Sequence, residues 1–277
     1  MKPLRILITG SNAGIGRLTA LTLARQGHHV IATMRDTAKG QGLEAECASE
    51  GLIIELRQLD VCDLSSIETA LSDAASIDVL VNNAGFEVQG ALELISDELM
   101  QRQLDTNVMG PLRTIREVMK SWRQRGSGVI VNISSVLGRI ASPYGGAYAA
   151  SKYALEGMSE SLYYEVAPAG VRVHLIEPGR FASTSFSANI LRPEDWESTE
   201  HYPLQQNFAA ALGNLGSDRE PQDPQLVADA IVRAATDAST PFRIPVGDDA
   251  ARLLAAQKAT GSFEEFEAII RKQLNWY

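Results

Sequence analysis

The chain has 277 residues, 45% of them apolar, and a formal charge of −9 at pH 7. At ~150 residues per domain that length allows one large α/β domain or two small ones, and the apolar fraction suffices for a sizeable core. The negative charge argues against nucleic acid or anionic lipid as partners, so any phosphate site has to be assembled from backbone amides and a few placed cations.

The N-terminus, Met1-Lys2-Pro3-Leu4-Arg5, runs into a strand at Arg5–Thr9 without an apolar h-region or a small-residue cleavage site, so no signal peptide is expected. A glycine-rich turn and a helix pattern over Ile15–Gln26 follow, then His28 and His29, read as solvated turn residues, and a strand over His29–Thr33. Further strands are predicted at Ile53–Leu59, Val79–Val81, Val129–Ile133, Val171–Ile176 and Phe242–Pro245. Helix patterns lie at Leu64–Ala74, Asp97–Trp122, Ala147–Val166 and Gln225–Ala235. The strands are dense in Val, Ile and Leu with little alternation, as strands buried on both faces require. This rhythm predicts an α/β fold, a single doubly wound parallel sheet with helices on both faces, and one domain over 1–277.

From Ala182 to Pro224 the rhythm breaks, and an irregular segment of this length is read as a substrate lid over about 182–224. The C-terminal Ser262–Tyr277 reads as an amphipathic helix with Phe263, Phe266, Ile269, Ile270 and Leu274 on one stripe, packing on the sheet or on a partner subunit. Cys47 and Cys62 stand outside any CxxC or Cys/His pattern, and the histidines lack ligand spacing, so neither a disulfide framework nor a metal is expected. No run of ~18 apolar residues exists, and the expectation is a cytoplasmic protein without membrane spans.

The first strand ends in Thr9-Gly10-Ser11-Asn12-Ala13-Gly14-Ile15-Gly16 and opens a helix. Glycines at such a turn let a backbone approach a pyrophosphate, which rests on the free N–H groups and positive dipole end of the helix. The spacing is GxxxGxG and resembles the TGxxxGIG of the short-chain dehydrogenase/reductases. The resemblance continues in order through Asn82-Asn83-Ala84-Gly85, Asn107, Ser135 in Asn132-Ile133-Ser134-Ser135, Tyr148-Ala149-Ala150-Ser151-Lys152 and Pro178-Gly179. It implies a Rossmann fold and an oxidoreductase that moves a hydride between a nicotinamide dinucleotide and a carbonyl or alcohol. It further implies cofactor contacts from Gly10, Ser11, Asn12, Gly14, Ile15 and Gly16, from Asp60-Val61 at the adenine, from Asn83, Ala84 and Gly85, and from Pro178, Gly179 and Phe181. The competing role for Asp60 is a helix N-cap.

A carbonyl that accepts hydride needs a proton on its oxygen. A tyrosine of ordinary pKa ~10 exchanges poorly at pH 7, and lowering it by ~3 units takes ~4 kcal/mol of differential stabilisation. Tyr148 and Lys152 stand at i and i+4, so on a helix they share one face and the ammonium can favour the phenolate. By the resemblance Tyr148 is the general acid/base, Lys152 lowers its pKa and binds the ribose, Ser135 orients substrate, and Asn107 serves the proton relay.

NADP(H) is expected over NAD(H), because the acidic position at the end of the second strand falls on Met34 and is followed by Arg35, a cation suited to a 2′-phosphate. Asp36 is the competing residue, set aside because it lies past the strand, where helix capping or solvent exposure is expected. Glu87, Val136 and Tyr144 are expected to face the substrate, with Tyr144 in a loop. The phrases Thr33-Met34-Arg35-Asp36 and Ala154-Leu155-Glu156-Gly157 look like the hydroxysteroid- and retinol-dehydrogenase-like branch. The family habit implies a homodimer or homotetramer built on the two long helices, with Leu155, Met158 and Leu162 as apolar material. A cofactor-sensing regulator without chemistry and an epimerase of the extended relatives are the other classes. The first typically lacks the tyrosine or lysine, and the second typically has GxxGxxG.

Overall fold

Strands rich in Val, Ile and Leu, the inner ones buried on both faces and the edge strands partly exposed, assemble into one parallel sheet in a computed structural model that describes residues 2–181, 186, 189–197, 202, 208 and 222–274. The strands are β1 (Arg5–Ile8), β2 (His29–Met34), β3 (Ile54–Gln58), β4 (Val79–Asn82), β5 (Gly128–Ile133), β6 (Val171–Pro178) and β7 (Arg243–Val246). Their order is β3-β2-β1-β4-β5-β6-β7, and β1 aligns Ile6 with Val30 on one side and with Val79 on the other. The chain reverses its direction of build between β1 and β4, which opens a crevice at the carboxyl ends of the strands, where open α/β sheets bind ligands.

The helices among the described residues are α1 (Gly14–Arg25), α2 (Gln41–Ser49), α3 (Leu64–Ala70), α4 (Asp97–Leu104), α5 (Gly110–Arg125), α6 (Gly146–Val166), α7 (Gln225–Thr236), α8 (Asp248–Ala259) and α9 (Phe263–Leu274). Side chains alternate across a strand, so Ile6 and Ile8 enter one core layer with Leu23 of α1 and Ile231 of α7. Leu7, Leu80 and Ile130 enter the opposite layer with Val118 and Trp122 of α5. Trp122 is fully buried and its indole N–H donates to the carbonyl of Ala74 at 3.2 Å. Gly128 leaves room for that ring, since a Cβ there would overlap it.

Several elements differ from the pattern expected. The long helix predicted over Asp97–Trp122 is α4, a π-turn at Asp105–Met109, and α5. Pro111 has no N–H to offer the Asn107 carbonyl, so a regular α ladder cannot continue through this point. Helices α2 and α8 lie outside the helix patterns predicted. His28 is buried, not solvated, and its Nδ1 accepts from the Leu4 N–H at 3.1 Å. Leu155 is buried and Leu162 packs on the core, so the face expected to offer apolar material to a partner is the core side of α6. The stripe predicted on the last helix is divided: Phe266 and Ile270 pack with Val136, Ile140 and Ala250, whereas Phe263 is exposed. Most of the segment read as a lid lies outside the described residues.

Candidate active site

At the carboxyl ends of the strands lies a cavity of about 1350 Å³. Its floor at one end is the turn from β1 to α1, with Gly10, Asn12, Ala13, Gly14 and Ile15 on the wall. Ala13 caps α1 without a side-chain hydrogen bond, so no side chain occupies the helix N-terminus. Gly10 and Gly14 take φ of 70° and 56°, which glycine adopts at no steric cost. A Cβ on Gly10 would also sit 2.9 Å from the Ala84 Cα.

The Asn82–Gly85 turn fastens this loop. The Thr9 hydroxyl accepts from the backbone N–H groups of Asn83 and Ala84 at 3.0 and 2.9 Å. The Asn83 amide donates to the carbonyls of Thr9 and Gly10 at 2.9 and 3.0 Å. Beneath it the buried Asn82 amide donates to Asn132 Oδ1 at 2.9 Å and accepts from the Thr114 hydroxyl at 2.7 Å. The loop is therefore set before any ligand arrives, and its backbone fits a diphosphate.

Two of the expected cofactor contacts, Ser11 and Gly16, are not on the cavity wall. Ser11 is fully buried and donates to the Ile8 carbonyl at 2.9 Å. Gly16 lies against the Gly10 carbonyl and the Asn83 amide, where any side chain would collide. Neither lines the cavity, because a tight strand-to-helix turn spends them on its own closure. Asp60 and Val61 do line it, and Asp60 Oδ1 accepts from the Cys62 N–H at 2.9 Å while Asp63 caps α3. Asp60 is thus no helix cap. Past β2, Arg35 and Lys39 reach the same cavity, and neither side chain has a hydrogen bond or ion pair among the described residues. The Asp36 carboxylate is engaged in accepting from the Ala38 N–H at 3.0 Å, the cap of a short 3-10 turn.

Ser135, Tyr148 and Lys152 all line the same cavity. Ser135 follows β5 in extended backbone and caps a short 3-10 turn, its hydroxyl accepting from the Leu137 N–H at 3.1 Å. Tyr148 and Lys152 share a face of α6 as their spacing requires, with the ammonium 5.4 Å from the ring centroid. The ammonium donates to the Ile133 carbonyl at 2.7 Å. Burial lowers the Lys152 pKa to about 8, against the pull of Glu156. The Tyr148 phenol is displaced the other way from the sequence expectation. Burial, and then the Glu87 carboxylate, hold it above its ordinary value, while the Ser135 hydroxyl works against them. The ammonium is committed to a carbonyl and stands over the ring, so in the protein alone it does not offset desolvation.

Asn107 stands behind this group, buried in the π-turn and not on the cavity wall. Its amide donates to the Phe86 carbonyl and the Ser151 hydroxyl at 3.0 and 3.1 Å, and its oxygen accepts from the Phe86 N–H at 3.2 Å. Pro178, Gly179 and Phe181 also line the cavity. That corner is pinned by Asp249 of α8, which accepts from the Arg180 N–H at 2.6 Å and the Gln222 amide at 2.8 Å.

Glu87 and Val136 line the cavity, whereas Tyr144 does not. Tyr144 adopts φ 58°, uncommon for a bulky residue, and its ring packs on Phe208 and Tyr202 at centroid distances of 5.4 and 6.0 Å. Its carbonyl accepts from the Gly90 N–H at 2.8 Å. The wall also includes Phe266 and Ile270 of α9 and Arg252 and Leu253 of α8, which the sequence reading did not place there. The apolar stripe of α9 was the available signal, but a stripe does not say what it covers.

A parallel sheet with its glycine turn, fastening asparagines and tyrosine–lysine helix around one cavity defines a nicotinamide-dependent dehydrogenase or reductase. The family described as short chain dehydrogenase matches residues 5–195, and the chain belongs to it. It is 34% identical over 260 residues to a 3-ketodihydrosphingosine reductase of Bacteroides thetaiotaomicron, covering 94% of this chain and 93% of the relative. It is 36% identical over 259 residues to human retinol dehydrogenase 8, covering 87% and 80%. The crystal structure of a short-chain dehydrogenase from Streptomyces avermitilis superposes with a TM-score of 0.82 at 32% identity, covering 98% and 99%. Among the described residues no helix is long and apolar enough to cross a membrane.

Proposed function

We propose that the chain moves a hydride between NADP(H) and a carbonyl or alcohol, with Tyr148 as the general acid/base. The observation that carries this is the convergence of Ser135, Tyr148 and Lys152 on the cavity that the glycine turn floors. The bound nicotinamide supplies the hydride chemistry. Tyr148 holds a proton at its phenol oxygen for the substrate oxygen, to which Ser135 offers a second donor. Lys152, with a pKa of about 8, carries a charge at neutral pH that favours a phenolate once the ammonium is drawn from Ile133 toward ribose hydroxyls. Asn107 acts from behind, holding Phe86 and Ser151 in place for a proton path past Lys152.

The preference for NADP(H) rests on Arg35 and Lys39, two cations at the cavity edge without partners among the described residues. Asp36, the acid that a ribose 2′-hydroxyl would need, is already bound to a backbone N–H. The relatives are named for a ketodihydrosphingosine and for retinol. For this chain, Val136, Phe186, Phe266 and Ile270 favour a mainly apolar substrate with one polar end.

The whole chain acts as one domain, with the stretch over about 182–224 as its substrate lid. A homodimer or homotetramer is favoured by three exposed tyrosines on α6, Tyr153, Tyr163 and Tyr164. A screen of apolar ketones and secondary alcohols, read by absorbance of the reduced nicotinamide, tests the reaction. Failure of every carbonyl and alcohol with both cofactors would overturn it. Sedimentation tests the assembly, and a species at the 30.0 kDa chain mass alone would refute it.

A further inference from the structure

The segment that follows the Asn82–Gly85 turn is held on both sides by hydrogen bonds. The Gln103 side chain, fully buried, accepts from the Val88 N–H at 2.6 Å and donates to the Phe86 carbonyl at 2.8 Å. Asn107 grips both backbone groups of Phe86. On the other side the Glu87 carbonyl accepts from the Leu191 N–H at 2.9 Å, and the Gln89 N–H donates to the Leu191 carbonyl at 2.9 Å. Val88 and Leu191 form a parallel bridge there. Every one of these bonds engages backbone, and they fix where the Glu87 side chain starts.

The Glu87 carboxyl itself has no hydrogen-bond or ion-pair partner among the described residues, although it lines the cavity and stands near enough to Tyr148 to raise the phenol pKa. Arg192 is the cation that acts on it, but only at a distance. The Arg192 guanidinium is occupied: it donates to Gln89 Oε1 at 3.3 and 3.1 Å and lies 5.0 Å from the Trp196 ring centroid. The other charged group facing the tyrosine, Lys152, is turned to Ile133. A half-buried carboxyl on a rigid mount, left unpaired in an otherwise satisfied loop, is an acceptor waiting for a donor from the ligand, since leaving it desolvated and unpaired is unfavourable.

Resting on the hydride-transfer reading, we propose that Glu87 is a specificity-determining residue that binds an ammonium group carried by the substrate, in the cavity it shares with Ser135 and Tyr148. The substrate class is therefore an amino ketone or amino alcohol on an apolar chain, in place of a plain ketone. Binding such a cation has a second effect. Burial is the main cause that holds the Tyr148 phenol up and the Glu87 charge adds to it, so an ammonium at Glu87 removes the second of these and eases the proton transfer. Burial puts the Glu87 pKa at about 7, so the ammonium is held more strongly above that pH and less below it.

The test compares three alcohols of equal chain length with the native enzyme and with Glu87→Gln: an amino alcohol, its N-acetyl derivative and the plain secondary alcohol. A charge-assisted hydrogen bond predicts roughly a tenfold or greater preference of the native enzyme for the amino alcohol in kcat/KM. In Glu87→Gln the ratio of amino to plain alcohol should fall to about one. A native enzyme that oxidises amino and plain alcohols equally well, or a preference that survives Glu87→Gln, overturns the inference while leaving hydride transfer intact. Failure to oxidise any of the three counts against the hydride-transfer reading. A measurement independent of turnover keeps the two apart: the rise in Tm of the cofactor-bound protein with a medium-chain primary amine, against the corresponding alcohol. The amine should stabilise the native protein more than the alcohol does, increasingly from pH 6 to pH 8, and Glu87→Gln should remove the difference. Equal shifts with amine and alcohol would again refute the site.

Discussion

The Lys152 ammonium donates to the Ile133 carbonyl at 2.7 Å, tying the middle of α6 to the end of β5 beside the cavity. That bond gives the lysine a structural task in the protein alone, distinct from whatever it does for a bound ribose. Lys152→Ala should therefore cost stability as well as turnover and cofactor affinity. Tyr148→Phe removes only a hydroxyl from a buried ring and should retain fold and cofactor binding. Its kcat should fall by at least ~10²-fold, the usual contribution of a positioned general acid. Steady-state rates, cofactor titration and thermal melts on both variants check this, and near-native turnover in Tyr148→Phe would remove the tyrosine from the mechanism.

Glu87 gives the stability a pH dependence of known sign. Its pKa is about 7 in the folded protein against an ordinary 4.5. The folded state holds this proton more tightly, so the contribution is fully present below pH ~4.5 and is lost as pH rises through ~7. Glu87→Gln should leave stability little changed near pH 5 and raise it near pH 8, by at most about 3 kcal/mol. Denaturant melts of both proteins at the two pH values provide the measurement. A penalty at pH 8 would mean that the carboxylate has a partner.

Cofactor choice should depend on Arg35 and Lys39 together. Arg35→Ala should lower kcat/KM with NADP(H) by roughly tenfold or more while changing NAD(H) little, since a charge-assisted contact to a phosphate contributes about 1.5–3 kcal/mol. Lys39→Ala should act in the same direction. Efficiencies with each cofactor decide it, and unchanged NADP(H) efficiency in both variants would show that neither cation reads the phosphate.

A second buried charge group lies behind Lys152. Arg243 Nε donates to Glu156 Oε2 at 2.8 Å and stands 3.7 Å from Glu177 Oε1, which Arg139 also meets at 3.0 Å. The remaining oxygens, Glu156 Oε1 and Glu177 Oε2, are buried without a hydrogen-bond partner. Burial and Glu156 hold the Glu177 pKa above its ordinary value. Arg243→Met at neutral pH should cost about 3–5 kcal/mol, the penalty of a buried charge that loses its partner. Adding Glu177→Gln should recover part of that loss. Melts of the single and double variants test it, and an additive double variant would show that Arg243 and Glu177 act independently.

The sequence by itself determined the sheet, the glycine turn and the tyrosine–lysine pair, because each rests on a short-range rule. Buried parallel strands need unbroken apolar runs, a diphosphate turn needs glycines, and i, i+4 residues share a helix face. It also indicated that Asp36 would be taken up by a cap or left to solvent. What it could not give was the use of residues whose partners lie far along the chain. Ser11 and Gly16 turned out to close the turn itself, Tyr144 packs on aromatics outside the cavity, and His28 is buried under Leu4. The break at Pro111 that sets Asn107 behind Phe86, the entry of α9 into the cavity wall, and the unpaired Glu87 carboxyl were decided by tertiary structure alone. The physical reason is that burial and hydrogen-bond pairing are properties of the assembled neighbourhood. A side chain's pattern in sequence states which faces it can occupy, and only the packed fold states what meets it there.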